Sequence, residues 1–344
     1  MNTDQPLVRP RAPGMYDVAR AAGVSHQTVS RVLNAHPRVR EETRARVLAA
    51  IEELGYRRNT AARALVTRRS GTLGVVTARS ALYGPTSVML ALEAAAREAG
   101  YYVSLVSLAD TSAEQIQAAL EHFQDQSVEG VVIIASTPDL ADDRLTAGLP
   151  MPVVTISPLA APHDGVYVTA VDHLLGGRMA TRHLVDLGHR RLAFIGGPAD
   201  SLDSTARQRG WELESAAAGL PEGRLLRGDW SAQSGYDAGR QLVRRALPDA
   251  VFAGNDEMAL GLLLALHEAG FSAPHDISVV GFDDIPGAAF FSPPLTTVRQ
   301  DFSSLGVGCI DLLSSALQGR PALEPVLVPP ELVVRGSTAA RAAR

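Results

Sequence analysis

From Gly71 onward, short apolar runs typical of buried strands alternate with amphipathic stretches of helical periodicity. The apolar runs are TLGVV at 72–76, YVSLV at 102–106, GVVIIA at 130–135, PVVTI at 152–156, RLAFIGG at 191–197, AVFAG at 250–254, ISVVGF at 277–282 and PVLVPPELVV at 325–334. The helical stretches include Ser87–Ala99, Ser112–Gln126, Gly176–Leu187 and Met258–Ala269. This alternation predicts parallel sheets with helices on both faces. Because about 265 residues exceed one typical domain, we expect two lobes, with a ligand cleft at the carboxyl ends of the strands.

The composition is that of a globular chain. Hydrophobic residues make up 46% of the 344 residues, which is enough to bury a sizeable core. No run approaches the roughly 18 apolar residues of a membrane span, and the opening MNTDQPLVRPRAPG lacks the apolar segment of a secretory signal. The single cysteine, Cys309, suits a reducing cytosol and is interpreted as a small core residue. We therefore expect a cytoplasmic protein with no membrane partner.

Charge is distributed unevenly along the chain. The first 70 residues hold thirteen Arg against six Asp or Glu, whereas the remainder holds nineteen Arg against thirty-one acidic residues. A basic head on an acidic body indicates that only the head meets a polyanion. Charge alone leaves open an ordinary solvated basic surface.

The basic head has the pattern of a helix-turn-helix. In YDVARAAGVSHQTVSRVLN at 16–34, a first helix from Tyr16 to Ala22 stops at Gly23, and Ser25 caps a second helix. The second helix has an apolar face of Val29, Val32 and Leu33. A third helix, Glu41 to Leu54, is predicted to end at Gly55 and to turn inward Val47, Leu48, Ile51 and Leu54. Two helices joined by a tight turn can place the second across a major groove.

The exposed side of the second helix has base-reading chemistry. Gln27 suits the edge of adenine and Arg31 suits the edge of guanine, and the two share a helix face with His26 and Ser30 nearby. Ser25, Thr28 and the capped amides suit phosphate oxygens. Composition alone leaves open an ordinary helical hairpin.

This segment and the following REETRARVLAAIEELGYRRNTAARAL resemble the DNA-binding head of the lactose/galactose repressor family. The resemblance implies that His26, Gln27 and Arg31 read bases and that Leu65 wedges into the minor groove at the centre of a palindromic operator. A large apolar residue in a short basic helix, Asn59 to Val66, fits such a wedge, although Leu65 could instead pack on its own core. The predicted DNA-contacting residues are Tyr16, Ser25, His26, Gln27, Thr28, Ser30, Arg31, Asn34, Asn59, Ala62 and Leu65.

The same resemblance extends to about Arg335. It is carried by TARQRGW at 205–211, GDWSAQSGYDAG at 228–239, FAGNDEMALG at 252–261, ISVVGFDD at 277–284 and PPLTTVRQDFSSLG at 293–306, which are most similar to the lactose-type members. It implies the fold of periplasmic sugar-binding proteins, in which two lobes joined by three crossings close on a ligand. The predicted fold class is thus an all-α helix-turn-helix head followed by a two-lobed α/β core with parallel sheets.

The residues that the resemblance places in the cleft have chemistry suited to a polyol. Asp283 can accept from neighbouring hydroxyls, Arg207 can donate in a fork, and Trp230 offers a flat face to sugar C–H groups. The predicted ligand-binding residues are Leu82, Gly84, Val88, Ser157, Arg207, Trp230, Asn255, Asp283, Gln300 and Phe302. Core packing for Trp230, an internal ion pair for Arg207 and loop bracing for Asp283 remain alternatives.

Three positions depart from the lactose-type pattern. Ser157 stands where a sugar-contacting carboxylate is expected, and Ala78 and Val168 replace a polar and an aromatic residue, so the identity of the sugar is open. The chain also lacks the leucine-heptad tail that makes tetramers of lactose-type members, so we expect a two-fold dimer. Outside the cleft, Asp256 and Asp284 are interpreted as loop braces, and His173 and His189 as structural or exposed.

The expected domains are a mobile tail at 1–14, the DNA-binding head at 15–58, a hinge at 59–70, the core at 71–336 and a mobile tail at 337–344. The first lobe is expected at about 71–168 and 302–326, and the second at about 169–299 and 327–336.

We expect a repressor of carbohydrate-utilisation genes that binds palindromic operator DNA as a homodimer and is released by a small galactoside- or glucoside-like sugar. A ligand, sugar or purine, that strengthens DNA binding is the first alternative, and a sugar-binding protein without a DNA role is the second. Because no metal cluster, P-loop or G-x-S-x-G motif is present, we expect no metal, no cofactor and no enzymatic activity.

Overall fold

A computed structural model describes residues 13–34, 36–56, 69–163, 165–321 and 324–341. The chain divides into two compact units, Met1–Ser70 and Gly71–Arg344. The hinge residues Asn59, Ala62 and Leu65, like residues 1–12 of the expected tail, lie outside the described residues, so their predicted roles stay predictions.

The head consists of three helices: α1 (Met15–Ala21), α2 (His26–Leu33) and α3 (Glu41–Leu54). Gly23 and Gly55 follow α1 and α3 with φ of +62° and +59°, a left-handed conformation that glycine adopts without a Cβ penalty. Val18, Val29 and Val47, one from each helix, are fully buried together. The predicted helix-turn-helix and its third helix are therefore confirmed.

One position of the predicted inner face of α3 is wrong. The side chain of Leu48 is 51% exposed, and Ala50 is buried in its place. Val47, Ala50, Ile51 and Leu54 follow the i, i+3, i+4, i+7 spacing of one helix face, whereas Leu48 lies about 100° from Val47 around the axis.

The core contains two six-stranded sheets, one in each lobe. The first has the order β11-β5-β4-β3-β1-β2, with all strands parallel. Its strands are β1 (Thr72–Ala78), β2 (Tyr102–Leu108), β3 (Gly130–Ile134), β4 (Val153–Ile156), β5 (Val166–Val171) and β11 (Val326–Val328). Its helices are α4 (Tyr83–Glu98), α5 (Ala113–Asp125), the short α6 (Asp143–Thr146) and α11 (Phe302–Leu317). Apolar clusters on both sides of β1, β3 and β4 bury the sheet under these helices.

The second sheet has the order β12-β10-β9-β8-β6-β7, parallel except for β12. Its strands are β6 (Leu192–Gly196), β7 (Arg224–Arg227), β8 (Ala250–Ala253), β9 (Ser278–Asp283), β10 (Thr296–Arg299) and β12 (Glu331–Val333). Its helices are α7 (His173–Asp186), α8 (Leu202–Ala217), α9 (Ala232–Val243) and α10 (Asp256–Glu268). Two further 3₁₀ turns span Pro138–Ala141 and Ala288–Phe290.

The chain crosses between the lobes three times, after β5, after β10 and after β11. Two crossings lie a few residues later than expected: β5 keeps residues 169–171 in the first sheet, and β11 keeps residues up to Val328 there. The PVLVPPELVV run is thus two short strands in two different sheets. Pro329 and Pro330 separate them, because proline has no N–H with which to continue a ladder.

The segment after β12 packs on the second lobe, contrary to the expected mobile tail. Ser337 is fully buried; its hydroxyl donates to the Val279 carbonyl at 2.6 Å and accepts from the Thr296 N–H at 2.8 Å. Arg341 pairs with Asp249, their nearest atoms being 2.9 Å apart. The described part of the tail, up to 341, is therefore part of the second lobe, since its polar groups have partners there.

Candidate functional site

The start of α2 is fixed by a side-chain cap. The Ser25 hydroxyl accepts from the Thr28 N–H at 3.2 Å and lies 2.9 Å from the Thr28 hydroxyl. These contacts satisfy one of the free amides at the helix start. Gln27 and Arg31 are both exposed on α2, so the structure leaves the predicted base readers accessible within the head.

The two first helices of the head meet at an aromatic pair. The Tyr16 ring lies 4.6 Å from the His26 ring at an interplanar angle of 22°, while Tyr16 is 72% exposed. The stack restricts the rotamers of His26 at the first position of α2. Ser30 lies further along α2, and Asn34 is its C-terminal cap residue. DNA contact by these residues remains a prediction.

All ten predicted ligand-binding residues line one cleft in the core. It consists of two adjoining cavities of about 330 and 50 Å³, which share Gly84, Pro85, Ser136, Asp203 and Arg207. The larger is lined by Leu82, Trp230, Asn255 and Asp283, and the smaller by Val88, Ser157, Gln300 and Phe302. The volume of the larger cavity falls within the range typical of small-molecule sites, about 300–1,000 Å³. The cleft lies where strand ends of both sheets meet, as predicted for such folds.

Arg207 of α8 is buried at the centre of this cleft. Its Nε donates to His173 Nδ1 at 3.1 Å, and its Nη1 donates to the Gly254 carbonyl at 2.5 Å. The guanidinium carbon lies 3.8 Å from the centre of the Phe282 ring and 5.3 Å from that of Trp230. Burial lowers the pKa of Arg207, and the nearby Asp283 carboxylate opposes that effect. These contacts hold the guanidinium in one orientation.

Asp283 ends β9 and faces the same cleft. Its Oδ1 accepts from Gln300 Nε2 at 2.6 Å and lies 3.7 Å from Arg207 Nη2. Burial raises the pKa of Asp283 to about 6, and the Arg207 charge opposes part of that rise. Asp283 has φ of +111°, a strained conformation for a residue with a Cβ. Strain of this kind is concentrated at ligand sites, where surrounding contacts maintain it.

Trp230 is held against the cleft by its neighbours. Its backbone has φ of +75°, and its carbonyl accepts from Asn255 Nδ2 at 2.9 Å. A Cβ at Gly197 would overlap the indole, so the absent side chain there makes room for the ring. Asn255 Oδ1 also caps α10 through the Met258 N–H at 2.9 Å. The amide of Asn255 thus positions Trp230 and retains further hydrogen-bonding capacity for a ligand.

An apolar wall closes the other side of the cleft. Leu82 precedes α4, Gly84 and Val88 lie on it, and Phe302 begins α11. The Tyr83 and Phe302 rings meet edge to face with their centres 5.9 Å apart. Ala78 also lines the cleft, while Val168 is buried in the first sheet.

Asp203 and His173 are polar residues of the cleft that were not predicted to line it. Asp203 lies in the first turn of α8 and lines both cavities. His173, interpreted as structural or exposed, is buried and lines the smaller cavity beside Ser157. His173 closely follows β5, and that position at a sheet edge was a signal for it, whereas residues 197–202 separate Asp203 from β6.

The two residues interpreted as braces have that role. Asp256 accepts from the Thr297 hydroxyl at 2.6 Å and from the Ile285 N–H at 2.9 Å. Asp284 pairs with Arg299 and Arg335 at 2.7 and 2.6 Å.

The other two residues given a structural interpretation are buried as well. His189 lies 4% exposed with Nε2 3.1 Å from the Ala339 carbonyl, and Cys309 is fully buried in the first lobe. The brace and core interpretations are therefore confirmed.

Two kinds of feature are absent from the described part of the chain. No group of three His, Cys, Asp or Glu side chains there is placed to hold a metal ion. Within the same residues, no helix has the length and apolar character that crossing a membrane requires.

Comparison with known proteins gives matches over nearly the whole chain. Residues 14–59 match the family model for bacterial regulatory proteins of the lacI family, and residues 181–338 match a periplasmic binding protein-like domain. The lactose operon repressor of Escherichia coli (strain K12) is 34% identical over 330 residues, covering 95% of this chain and 91% of the relative.

Solved structures give the same result. A lac repressor dimer bound to operator and the anti-inducer ONPF matches with a TM-score of 0.85 at 33% identity, covering 96% of this chain and all of the other. A transcriptional regulator CelR–cellobiose complex matches with a TM-score of 0.70 at 32% identity, covering 94% and 99%. With a helix-turn-helix head, a two-lobed core and this similarity along its length, the chain belongs to the LacI family of bacterial transcriptional regulators.

Proposed function

We propose that this protein is a sugar-responsive repressor of carbohydrate-utilisation genes that binds a palindromic operator as a homodimer. The observation that carries the proposal is the cleft, in which the ten residues expected for sugar binding lie together. The same protein has a basic head that exposes Gln27 and Arg31 on its second helix. Family membership supports both halves, since the lac repressor relative is described bound to operator.

The cleft supports a carbohydrate as the effector. Asp283 and Gln300 offer an acceptor and donor, Trp230 offers a flat face, and the wall of Val88 and Phe302 is apolar. A pyranose presents the matching combination of hydroxyl edge and C–H face. The related CelR structure holds cellobiose, which supports a glucoside as one candidate.

A dimer is supported by exposed apolar side chains on the core. Leu90 is 65% exposed, Leu264 is 51% exposed and Phe290 is 86% exposed. Leu260 lies one turn before Leu264 on α10 and is 45% exposed. Exposed large apolar residues of this kind are typical of protein interfaces. Two heads are also what a palindromic operator requires.

Release from DNA requires that the sugar favour one arrangement of the lobes. In this structure the Leu202 N–H of the second lobe donates to the Ser136 carbonyl of the first at 3.0 Å. Ser136 lines the cleft and Leu202 lies between two residues that do, Ser201 and Asp203, so a sugar that changes the separation of Ser136 and Leu202 also changes the lobe arrangement. We propose that this change passes through the segment 59–70 and withdraws Leu65 from the minor groove.

In this proposal the protein acts in the cytoplasm, where its head binds chromosomal DNA. It binds its sugar without catalysing a reaction of it. Its mode of action is tested by selecting palindromic DNA with the purified full chain and then titrating the complex with galactosides, glucosides and purines. Loss of DNA binding on adding a galactoside or glucoside supports the proposal. Tighter DNA binding with any of these ligands contradicts release and favours a corepressor mechanism instead.

The Leu65 wedge has its own test. Leu65→Ala is expected to weaken specific operator binding far more than binding to random DNA. Equal losses on the two DNAs would remove the wedge from the proposal. A matched test of base reading is Arg31→Ala, which is expected to relax the preference at one operator position.

A further inference from the structure

A continuous chain of polar contacts runs along the floor of the cleft. Asp203 Oδ1 lies 3.4 Å from His173 Nε2, and His173 Nδ1 accepts from Arg207 Nε at 3.1 Å. Arg207 Nη2 then faces Asp283 Oδ1 at 3.7 Å. This series of contacts therefore has a carboxylate at each end, with one histidine and one arginine between them.

The contact with Arg207 fixes the tautomer of the His173 ring. An arginine Nε–H always donates, so His173 Nδ1 is the unprotonated nitrogen. Burial lowers the pKa of His173 to about 4, so the neutral ring carries its single proton on Nε2. The protonated Nε2 therefore faces Asp203 Oδ1 at 3.4 Å, so this carboxylate lies beside the N–H edge of a neutral ring.

Asp203 differs from Asp283 in its exposure. The side chain of Asp203 is 30% exposed, whereas that of Asp283 is 7% exposed. Asp203 also lines the smaller cavity together with Ser157, the position at which a sugar-contacting carboxylate is expected but a serine stands. A carboxylate is thus present in this cavity after all, supplied by α8 of the second lobe.

The charges of the cleft are unbalanced toward the negative. Among the described residues that line it, Arg207 is the one cation, while Asp200, Asp203 and Asp283 are acidic. The Arg207 donors already contact His173 and the Gly254 carbonyl, and its face covers Phe282. It therefore cannot turn its fork toward a phosphate without giving up these contacts.

Two of the amides at the start of α8 are occupied as well. The Leu202 N–H donates to the Ser136 carbonyl at 3.0 Å, and the Ser204 N–H donates to the Ser201 hydroxyl at 3.2 Å. The positive end of the helix is also adjacent to the Asp203 carboxylate. An anionic ligand would thus meet carboxylates, whereas a sugar hydroxyl can donate to them.

We propose that Asp203 is a specificity-determining residue of the cleft, which with Asp283 selects uncharged, hydroxyl-rich sugars over phosphorylated or carboxylated ones. This inference rests on the proposed function, because it assumes that the cleft binds a sugar. It adds that two carboxylates at opposite ends of the Asp203–His173–Arg207–Asp283 chain accept from separate hydroxyl groups of one ligand.

Calorimetric titration of the purified full chain tests the proposal first without any substitution. The probes are glucose, lactose and cellobiose, together with glucose 6-phosphate and glucuronate, which are charged counterparts of glucose. We expect at least one uncharged sugar to bind, and to bind at least tenfold more tightly than either charged probe. Equal or tighter binding of glucose 6-phosphate or glucuronate would overturn the charge selection.

Substitution of Asp203 provides the second arm. Asp203→Asn is expected to weaken binding of the uncharged sugar by roughly ten- to a hundredfold, the effect of losing a charge-assisted hydrogen bond, and to narrow its preference over the charged probes. The matched control is Glu212→Gln, which removes the same charge from an exposed side chain of the same helix, outside the cleft. The control is expected to change neither affinity nor preference by more than about twofold.

The outcomes separate this inference from the function on which it rests. An unchanged preference in a folded Asp203→Asn variant overturns the role of Asp203 alone, while sugar binding itself stands. If none of the three uncharged sugars binds the natural chain although operator DNA does, the sugar-responsive function fails and the inference fails with it.

Discussion

Gly197 gives a direct way to displace Trp230 without touching its side chain. Gly197 follows β6, is buried and has an ordinary backbone conformation, so alanine is allowed there by the backbone. An added Cβ would overlap the indole atoms Cε2 and Cζ2 and lie 2.6 Å from Cη2. Because real Cβ contacts are wider than this, the Gly197→Ala methyl must push the ring out of its place.

The added methyl group of Gly197→Ala is expected to lower both the stability of the protein and its affinity for the sugar. Overpacking by one methyl group costs about 1–3 kcal/mol in the free energy of unfolding. A displaced indole also loses its stacking on the sugar, on the order of 1–2 kcal/mol, so the dissociation constant of the bound sugar is expected to rise about five- to thirtyfold. DNA binding in the absence of sugar is expected to stay within about twofold, because the change lies in the core unit.

Calorimetric titration measures the sugar affinity, and thermal unfolding measures the stability of the same variant. The matched control is Gly308→Ala on α11, where an added Cβ meets nothing within 4 Å. It is expected to keep the affinity and to raise the stability by about 0.5–1 kcal/mol, since alanine is the better helix former. A Gly197→Ala variant that is destabilised but binds sugar as tightly as the natural chain would refute Trp230 as the sugar platform.

Three further substitutions test other parts of the structure. Ser25→Ala removes the cap of α2 and is expected to lower the stability of the head by about 1 kcal/mol, seen as faster amide exchange in α2; unchanged exchange would contradict the cap. Burial, together with the Asp283 charge, raises the pKa of Asp256 to about 8, so the folded chain holds a proton that the unfolded chain releases above pH 4. The contribution of this group to the free energy of unfolding therefore falls as pH rises from about 4 to 8. Asp256→Asn lacks this loss, so its free energy of unfolding is expected to rise relative to that of the natural chain by a few kcal/mol across that window. Curves of stability against pH that run parallel for the two proteins would refute this. Arg341→Ala removes one of the partners of Asp249 and is expected to cost no more than about 1 kcal/mol in chemical unfolding, whereas a loss several times larger would show that the tail segment does more than brace the lobe.

Local signals were sufficient for the head. Helices α1 and α3 are followed by glycines and α2 begins at a serine cap, features that lie within one or two residues of the boundary they determine. The α3 helix accordingly begins and ends where predicted, at Glu41 and Leu54. The prediction for Leu48 was wrong because it followed hydrophobicity alone, whereas the position around the helix axis determines which side chains are buried.

The core was predicted less completely, for reasons that depend on tertiary structure. Strands β7 (RLLR) and β10 (TTVR) are four residues long and include arginines, so neither stood out as an apolar run. Proline residues split the last apolar run between two sheets, a result that only the sheet topology reveals. The eight predicted runs did mark strands of both lobes, because buried parallel strands are apolar throughout.

The cleft illustrates the same limit. Residue chemistry and family resemblance together selected ten residues that the fold brings to one place. Asp203 and His173 were not predicted to line the cleft because their role depends on contacts between separate elements of the second lobe. His173 contacts both Arg207 and Asp203. Such pairs are set by packing, so spacing along the chain does not reveal them.

In the proposed function, one protein couples operator binding to the binding of an uncharged sugar. The most direct measurement is the fluorescence anisotropy of a labelled palindromic operator, selected with the full chain and titrated with an uncharged sugar shown by calorimetry to bind. We expect operator affinity to fall at least tenfold at saturating sugar, and the Asp203→Asn variant to require at least tenfold more sugar for the same release. Operator affinity that is unchanged, or that increases, when sugar saturates the cleft would contradict it.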